Sequence, residues 1–282
     1  MTGTTGTTPR RRVVRDADGV AIHTATWDAP EPRAVVHVLH GVGEHSGRYA
    51  RLAASLTAAG YTVVADDHRG HGRTGEGHLG VGVLGPGVNR AAIDAAETVS
   101  RAVHADAPDL PIVLLGHSWG SFLAQRIVDR SSAHYAGLVL SGSSLPLPGL
   151  TRNARFNARW AGPGSSGLEW LSRDPEVARA FAADPWCFDV GARPAFTLRE
   201  SVALSGLPSR RLHDLPVLVQ GGSLDPVGGE RGLRLLAAAY RRWSRLSDVT
   251  CLVYPQARHE VYNETNADEV VGDLVRWLRV RF

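Results

Sequence analysis

The chain has 282 residues, 43% hydrophobic and 21% charged, an ordinary globular balance with enough length to bury a core without staples. Its net charge of +3 is carried without lysine: every basic residue is arginine, spread along the chain apart from short runs such as Arg10-Arg11-Arg12, which argues against a nucleic-acid partner, whose footprint would be denser. The two cysteines, Cys187 and Cys251, lie far apart and outside any CxxC or metal-type spacing, so free thiols and no metal are expected.

Residues 1–12 are Thr/Gly-rich and then basic, with no apolar h-region, and read as a disordered tail rather than a secretory signal. No apolar run approaches the length that spans a bilayer, and a cytoplasmic protein is the expectation. Asp18-Gly19 marks a turn between two short strands, the second near Val20 to Trp27. Ala34 to Leu39 is an almost continuous apolar run, as in a strand covered on both faces. A helix is predicted near Tyr49 to Ala59 with Gly60 as its stop, then a strand over Tyr61 to Ala65. Ala92, Ala95, Ala96, Val99 and Val103 share one face of a helix over Ala91 to His104. The apolar strand Ile112 to Leu115 runs directly into Gly116-His117-Ser118-Trp119-Gly120, followed by a helix to about Arg130 and a strand over Gly137 to Leu140.

Strand and helix therefore alternate, the signature of a mostly parallel sheet flanked by helices. The alternation stops near Ser144. From 145 to 212 prolines, beginning with Pro146 and Pro148, punctuate short helical pieces. Aromatic residues gather there, Trp160, Trp170, Trp186, Phe156, Phe181, Phe188 and Phe196 among them. This segment reads as an inserted helical cap, with the core in 13–144 and 213–282. The pattern resumes with a strand at Val217 to Val219, a helix near Glu230 to Trp243, a strand at Val249 to Tyr254 and a helix over Ala267 to Val280.

GxSxG by itself is a weak signal in a chain with 31 glycines. With a buried strand before it and an amphipathic helix after it, it resembles the nucleophile elbow of α/β-hydrolases. Gly116 and Gly120 let strand and helix approach closely, and Ser118 stands at the tip of the turn. A serine hydroxyl needs a base within hydrogen-bond reach. In this fold acid and base follow in the order Ser, Asp, His. Asp225, just after the resumed strand, and His259, just after the final one, fit that order, whereas Asp214 and Glu230 are misplaced and Glu260 is expected to point elsewhere. Two backbone amides should hold the oxyanion: Trp119, next to the nucleophile, and Val42 in His40-Gly41-Val42-Gly43.

The motifs His40-Gly41-Val42-Gly43-Glu44-His45-Ser46-Gly47-Arg48-Tyr49, Asp67-His68-Arg69-Gly70-His71-Gly72-Arg73, Gly116-His117-Ser118-Trp119-Gly120 and Arg258-His259-Glu260 together resemble the monoacylglycerol lipase and lysophospholipase group of serine aminopeptidase S33-type α/β-hydrolases. The resemblance runs from about residue 20 to the end. It implies a carboxylic-ester hydrolase acting on monoacylglycerol-like esters through an acyl-enzyme, with no cofactor. It also places Glu44 and Arg48, and with them His117, beside the pocket for the polar alcohol. An ion pair pinning the loop is the alternative for Glu44 and Arg48. Asp67, Arg69 and His71 read as braces. Two positions depart from the group: Trp119 is bulky enough to narrow an acyl pocket, and Ser121 stands where a second glycine is usual. Other acyl chemistry (aminopeptidase, thioesterase or perhydrolase) and a non-catalytic binding protein are the competing readings. The serine argues against the branches that use aspartate as nucleophile. The arginines of the cap, including Arg152 and Arg155, are compatible with contact to a lipid surface. Oligomeric state carries no signal in the sequence.

Overall fold

The computed structural model describes residues 8–145 and 156–282. Eight strands form one sheet: β1 (Arg10–Arg15), β2 (Ala21–Trp27), β3 (Ala34–Leu39), β4 (Tyr61–Asp66), β5 (Ile112–His117), β6 (Gly137–Ser141), β7 (Val217–Gly222) and β8 (Val249–Tyr254), in the spatial order β1-β2-β4-β3-β5-β6-β7-β8. The pairs β1/β2 and β2/β4 are antiparallel and the others parallel. All six residues of β3, β4, β5 and β7 are buried, as expected of central strands with both faces covered.

The helices explain that burial. On one face lie α3 (Val88–Asp106), α4 (Trp119–Ser131) and α6 (Gly229–Ala238). On the other lie α1 (Ala50–Ala58) and α7 (Ala267–Arg279). In α7 the buried Val270, Leu274, Trp277 and Leu278 fall on one helical stripe, and the polar residues between them face outward. A short α2 (Gly72–Glu76) follows β4.

Two sequence expectations are corrected. The tail does not extend to residue 12, because β1 begins at Arg10 and pairs with β2 from Arg10↔Thr26 to Arg15↔Ala21. A basic, largely exposed segment suits a sheet edge. Only Val14 packs inward, and Arg10 and Arg12 pair with Asp28 and Asp106. The cap is also less helical than expected. Residues 156–212 hold one α-helix, α5 (Pro175–Ala183), and a 3₁₀ segment, Glu200–Leu204. Asp174 caps α5 by accepting the Glu176 amide, and Pro175 fits its first turn. Elsewhere prolines and glycines such as Gly162, Gly164 and Gly167 break the helical ladder. Pro146, Pro148, Arg152 and Arg155 lie outside the described residues. Among the described residues no helix is long and apolar enough to cross a membrane.

Candidate active site

Four loops leave the carboxyl ends of β3, β5, β7 and β8 on one rim of the sheet, where open α/β sheets bind ligands. Ser118 occupies the sharp turn between β5 and α4 with φ 52° and ψ −123°. A non-glycine residue there carries strain of about 1–3 kcal/mol and persists only where its surroundings enforce it. The enforcing contacts are visible. The Ser118 amide donates to the Ser141 carbonyl of β6 at 2.9 Å, and the Ser121 amide donates to the Ser118 carbonyl at 2.9 Å. A Cβ on Gly116 would lie 2.5 Å from the Gly120 carbonyl oxygen, and one on Gly120 would lie 2.1 Å from that of Leu39. Both glycines are required by the backbone crossing under the serine.

The loops carrying Asp225 and His259 are zipped together. The Ser223 amide donates to Tyr254 O and the Leu224 amide to Ala257 O, both at 3.0 Å. Gly222 permits this approach, since a Cβ there would meet the Ala257 carbonyl at 2.1 Å. His259 Nδ1 consequently lies 2.9 Å from Asp225 Oδ1, with both side chains buried. The same Asp225 oxygen accepts the Val227 amide at 2.8 Å, which fixes the carboxylate from the other side. Burial disfavours a charged imidazole, but the adjacent Asp225 carboxylate outweighs it, and the pKa of His259 is raised. Ser118 and His259 line one cavity, and no hydrogen bond joins their side chains among the described residues.

The candidate oxyanion loop is held on both sides of Val42. The Gly41 amide donates to Glu44 Oε1 at 2.6 Å and the Gly43 amide to His71 Nε2 at 3.0 Å. The Val42 amide between them has no acceptor among the described residues, and Val42 lines the cavity. Trp119 is the first residue of α4, where a helix offers its own N–H groups no acceptor. The cavity is about 770 Å³, within the range of small-molecule sites, and is walled by Phe156, Leu168, Phe181, Phe188 and Phe196.

A sequence model of the family described as serine aminopeptidase, S33, matches residues 30–266. This chain belongs to that family. A monoacylglycerol lipase of Mycolicibacterium smegmatis is 35% identical over 272 residues, 92% of this chain and 93% of the relative. The human monoglyceride lipase is 30% identical over 283 residues, 94% of this chain and 89% of the relative. A thermostable carboxyl esterase from Bacillus coagulans superposes with a TM-score of 0.83 at 24% identity, over 97% of this chain and 99% of that one, a likeness that speaks for the fold. The chain is an α/β-hydrolase of the monoacylglycerol-lipase-like group and an ester hydrolase.

In this hydrolase the residues expected at the alcohol pocket divide. Glu44 and His117 line the cavity, whereas Arg48 sits behind them. Arg48 donates to Glu44 Oε2 at 2.8 Å and grips Glu260 through two bonds of 2.7 and 2.8 Å. The pinning ion pair is therefore present, with Glu260 as a second partner. Glu260 turns away from His259, as expected: its carboxylate accepts from Arg48 and Asn263, and the residue also lines the cavity. Burial opposes ionisation of Glu44, yet Arg48, His117, the Gly41 amide and the Tyr49 hydroxyl together lower its pKa. His117 lies with its ring 4.8 Å from that of His259. Burial, helped by His259, lowers its pKa to about 4, so it is neutral near pH 7.

Trp119 does not narrow the cavity. Its ring is absent from the lining, donates to Asn89 Oδ1 at 2.8 Å and stacks on His71. Ser121 uses its hydroxyl where a glycine would have none, donating to the Ser118 carbonyl at 2.5 Å and lying 2.7 Å from Ser143 Oγ. The braces are as expected in kind. Asp67 accepts the Ser46 and Arg73 amides, and Arg69 pairs with Asp16 and Asp18. Among the described residues, one cluster has metal-ligand chemistry: His45, Asp184 and the half-buried Cys187. Both ring nitrogens of His45 are engaged, Nδ1 accepting the Gly47 amide and Nε2 facing Asp184 at 2.8 Å. With both nitrogens so engaged, neither is free to ligate a metal unless one of these bonds is given up.

Proposed function

We propose that Ser118 is the nucleophile of this ester hydrolase, His259 its general base and Asp225 the carboxylate that orients the base. The observation that carries the reading is the strained Ser118 on the same cavity as an imidazole whose Nδ1 is held by a buried carboxylate. That contact leaves Nε2 as the acceptor for the serine proton. Catalytic hydrogen bonds are often long in unliganded enzymes and tighten around the substrate.

His259 Nε2 takes the Ser118 proton as Oγ bonds to the ester carbonyl carbon. The carbonyl electron pair moves to oxygen, and the Val42 and Trp119 amides receive the negative charge. Collapse breaks the bond to the alcohol, which leaves with the proton from His259. Water, deprotonated by the same imidazole, then attacks the acyl-enzyme and releases the acid and free Ser118. Every step uses side chains and amides of this chain, and none calls on a metal or organic cofactor.

The substrate we assign is an acyl monoester of a small polyol, of the monoacylglycerol type. The aromatic and aliphatic walls suit an acyl chain, while Glu44, His117 and Glu260 offer polar groups to the alcohol hydroxyls. The relatives named monoacylglycerol and monoglyceride lipase support the same reading. The described part of the cap, residues 156–212, supplies most of the acyl walls. The test is hydrolysis of p-nitrophenyl esters and monoacylglycerols of graded length, beside an aminoacyl amide, by the native protein and by Ser118→Ala. The native protein should prefer the monoacylglycerol, and the variant should lose turnover with its circular dichroism unchanged. Turnover by the folded variant overturns the nucleophile, and preference for the amide overturns the substrate class.

A further inference from the structure

We propose that His71 is the positioning residue of the oxyanion hole: its ring ties the Gly43 amide to the Trp119 side chain and thereby sets the separation of the two donor amides. The proposal rests on the reading of Val42 and Trp119 as those donors. His71 is fully buried and sits in the loop after β4, remote in sequence from both donors. Its Nδ1 lies 2.9 Å from the Arg69 carbonyl, an acceptor, so the ring proton is on Nδ1 and Nε2 presents a lone pair. The Gly43 amide donates to that lone pair at 3.0 Å. Arg69 cannot drift, because its guanidinium is tied to the buried Asp16.

The plane of the ring is fixed as well. Trp119 stacks on it at 5.2 Å and 29°, and Phe188 of the cap lies against it at 5.3 Å and 31°. Trp119 is in turn anchored through its indole N–H to Asn89. Phe188 also donates its amide to the Gly43 carbonyl at 3.0 Å. Gly43 is thus gripped at its N–H by His71 and at its C=O by the cap. Its φ of +83° and the 2.3 Å that would separate a Cβ from the Phe188 carbonyl leave room for glycine alone. With Glu44 holding Gly41, both peptides flanking the Val42 amide are immobilised, so that amide cannot rotate to a partner of its own. A rigid donor in a water-poor site needs no reorganisation as charge develops. Burial also lowers the pKa of His71 to about 3, so the acceptor persists throughout the working pH range.

His71 touches neither substrate nor reacting atoms in this scheme, so its loss should act on the transition state alone. The experiment compares native protein, His71→Gln and His71→Phe in hydrolysis of p-nitrophenyl butyrate and in inhibition by an alkyl trifluoromethyl ketone, whose serine adduct carries an oxyanion. For His71→Phe, kcat should fall roughly 10–100-fold with KM within twofold, because a donor displaced by about 1 Å costs on that order. The inhibition constant should rise by the same factor. His71→Gln, whose amide oxygen can accept the Gly43 N–H, should recover most of the loss. A folded His71→Phe with kcat and inhibition within twofold of native, or one that raises KM alone, overturns the proposal. If His71→Phe does not fold, the native protein decides: ¹⁵N NMR should show a coupling across the hydrogen bond from Gly43 N to His71 Nε2, and its absence overturns the proposal. Ser118→Ala keeps the two readings apart, since an inactive Ser118→Ala beside a fully active His71→Phe removes only the role of His71.

Discussion

The rim of the sheet and the cap above it are built on opposite principles. On the rim the backbone around Ser118 is braced by hydrogen bonds between loops, and the close crossings at Gly116, Gly120 and Gly222 leave no room for another residue. The cap meets the rest of the chain through ties between loops, among them Trp170 and Leu171 carbonyls to the His259 and Glu260 amides, Arg258 to the Glu169 and Ser172 carbonyls, Arg173 to Glu264, Asp184 to His45, and Phe188 to Gly43. Beyond these ties it is mostly turns, with Leu198 80% and Val202 67% exposed. The difference teaches where each property resides. Reaction geometry tolerates little error and is placed on loops braced by the sheet. Acyl-chain selection, in the proposed reading, tolerates more and falls to a segment made mostly of turns.

The sharpest way to break that comparison is to alter the rim without changing its shape. Asp225→Asn should keep the fold and lower kcat on a short ester by roughly 10⁴-fold, because the imidazole loses the partner that sets its tautomer. A loss under tenfold would mean that the rim geometry is not what drives the reaction. A glycine crossing comes next. Gly120→Ala should cost about 3 kcal/mol or more in urea unfolding, since its Cβ would overlap the Leu39 carbonyl, while an equally conservative Gly164→Ala in the cap, with nothing within 4 Å, pays only for its positive φ.

Titration sharpens the comparison further. The pKa of His259 is raised, and the base must be neutral to accept a proton. Activity is therefore full above that pKa and falls as pH drops through it, so the acid limb of kcat/KM should have its midpoint above the ordinary histidine value of about 6.5. Asp225→Asn should move whatever limb remains downward. Relief of strain is a smaller effect: Ser118→Gly should raise stability by about 1 kcal/mol, the difference between the strain removed and the entropy that glycine adds to the unfolded chain. The smallest effect is expected in the cap. Leu198→Asp, at the cavity mouth, should raise KM for a long-chain monoacylglycerol about fivefold, the worth of roughly one methylene contact, and leave kcat on p-nitrophenyl acetate within twofold.

Much of the fold was legible because its strands are short apolar runs that end in turn residues. The order of those runs is enough to put Ser118, Asp225 and His259 at strand ends. Legibility failed where pattern was weak or partners were remote. The start of the first strand was placed too late because its leading arginines, Arg10 to Arg12, resemble a basic tail. The cap was overestimated as helix because proline-flanked aromatic segments carry little periodicity. Glu260 was rightly read as turned away from His259, but the partner it turns to, Arg48, lies 212 residues away and left no sign in the sequence. Trp119 was expected in the pocket because sequence shows a side chain's size and not its direction.

The amino-acid order by itself determined the local events: which segments bury both faces, where the chain must turn, and which residues stand at the ends of strands. Those follow from periodicity, from glycine and proline, and from the range of a few residues over which they act. Only the tertiary structure decided that His71 would accept the Gly43 amide, that Arg48 would join Glu44 to Glu260, and that Trp119 would turn toward Asn89. These contacts join separate loops, and a hydrogen bond between loops leaves no periodic trace in either one.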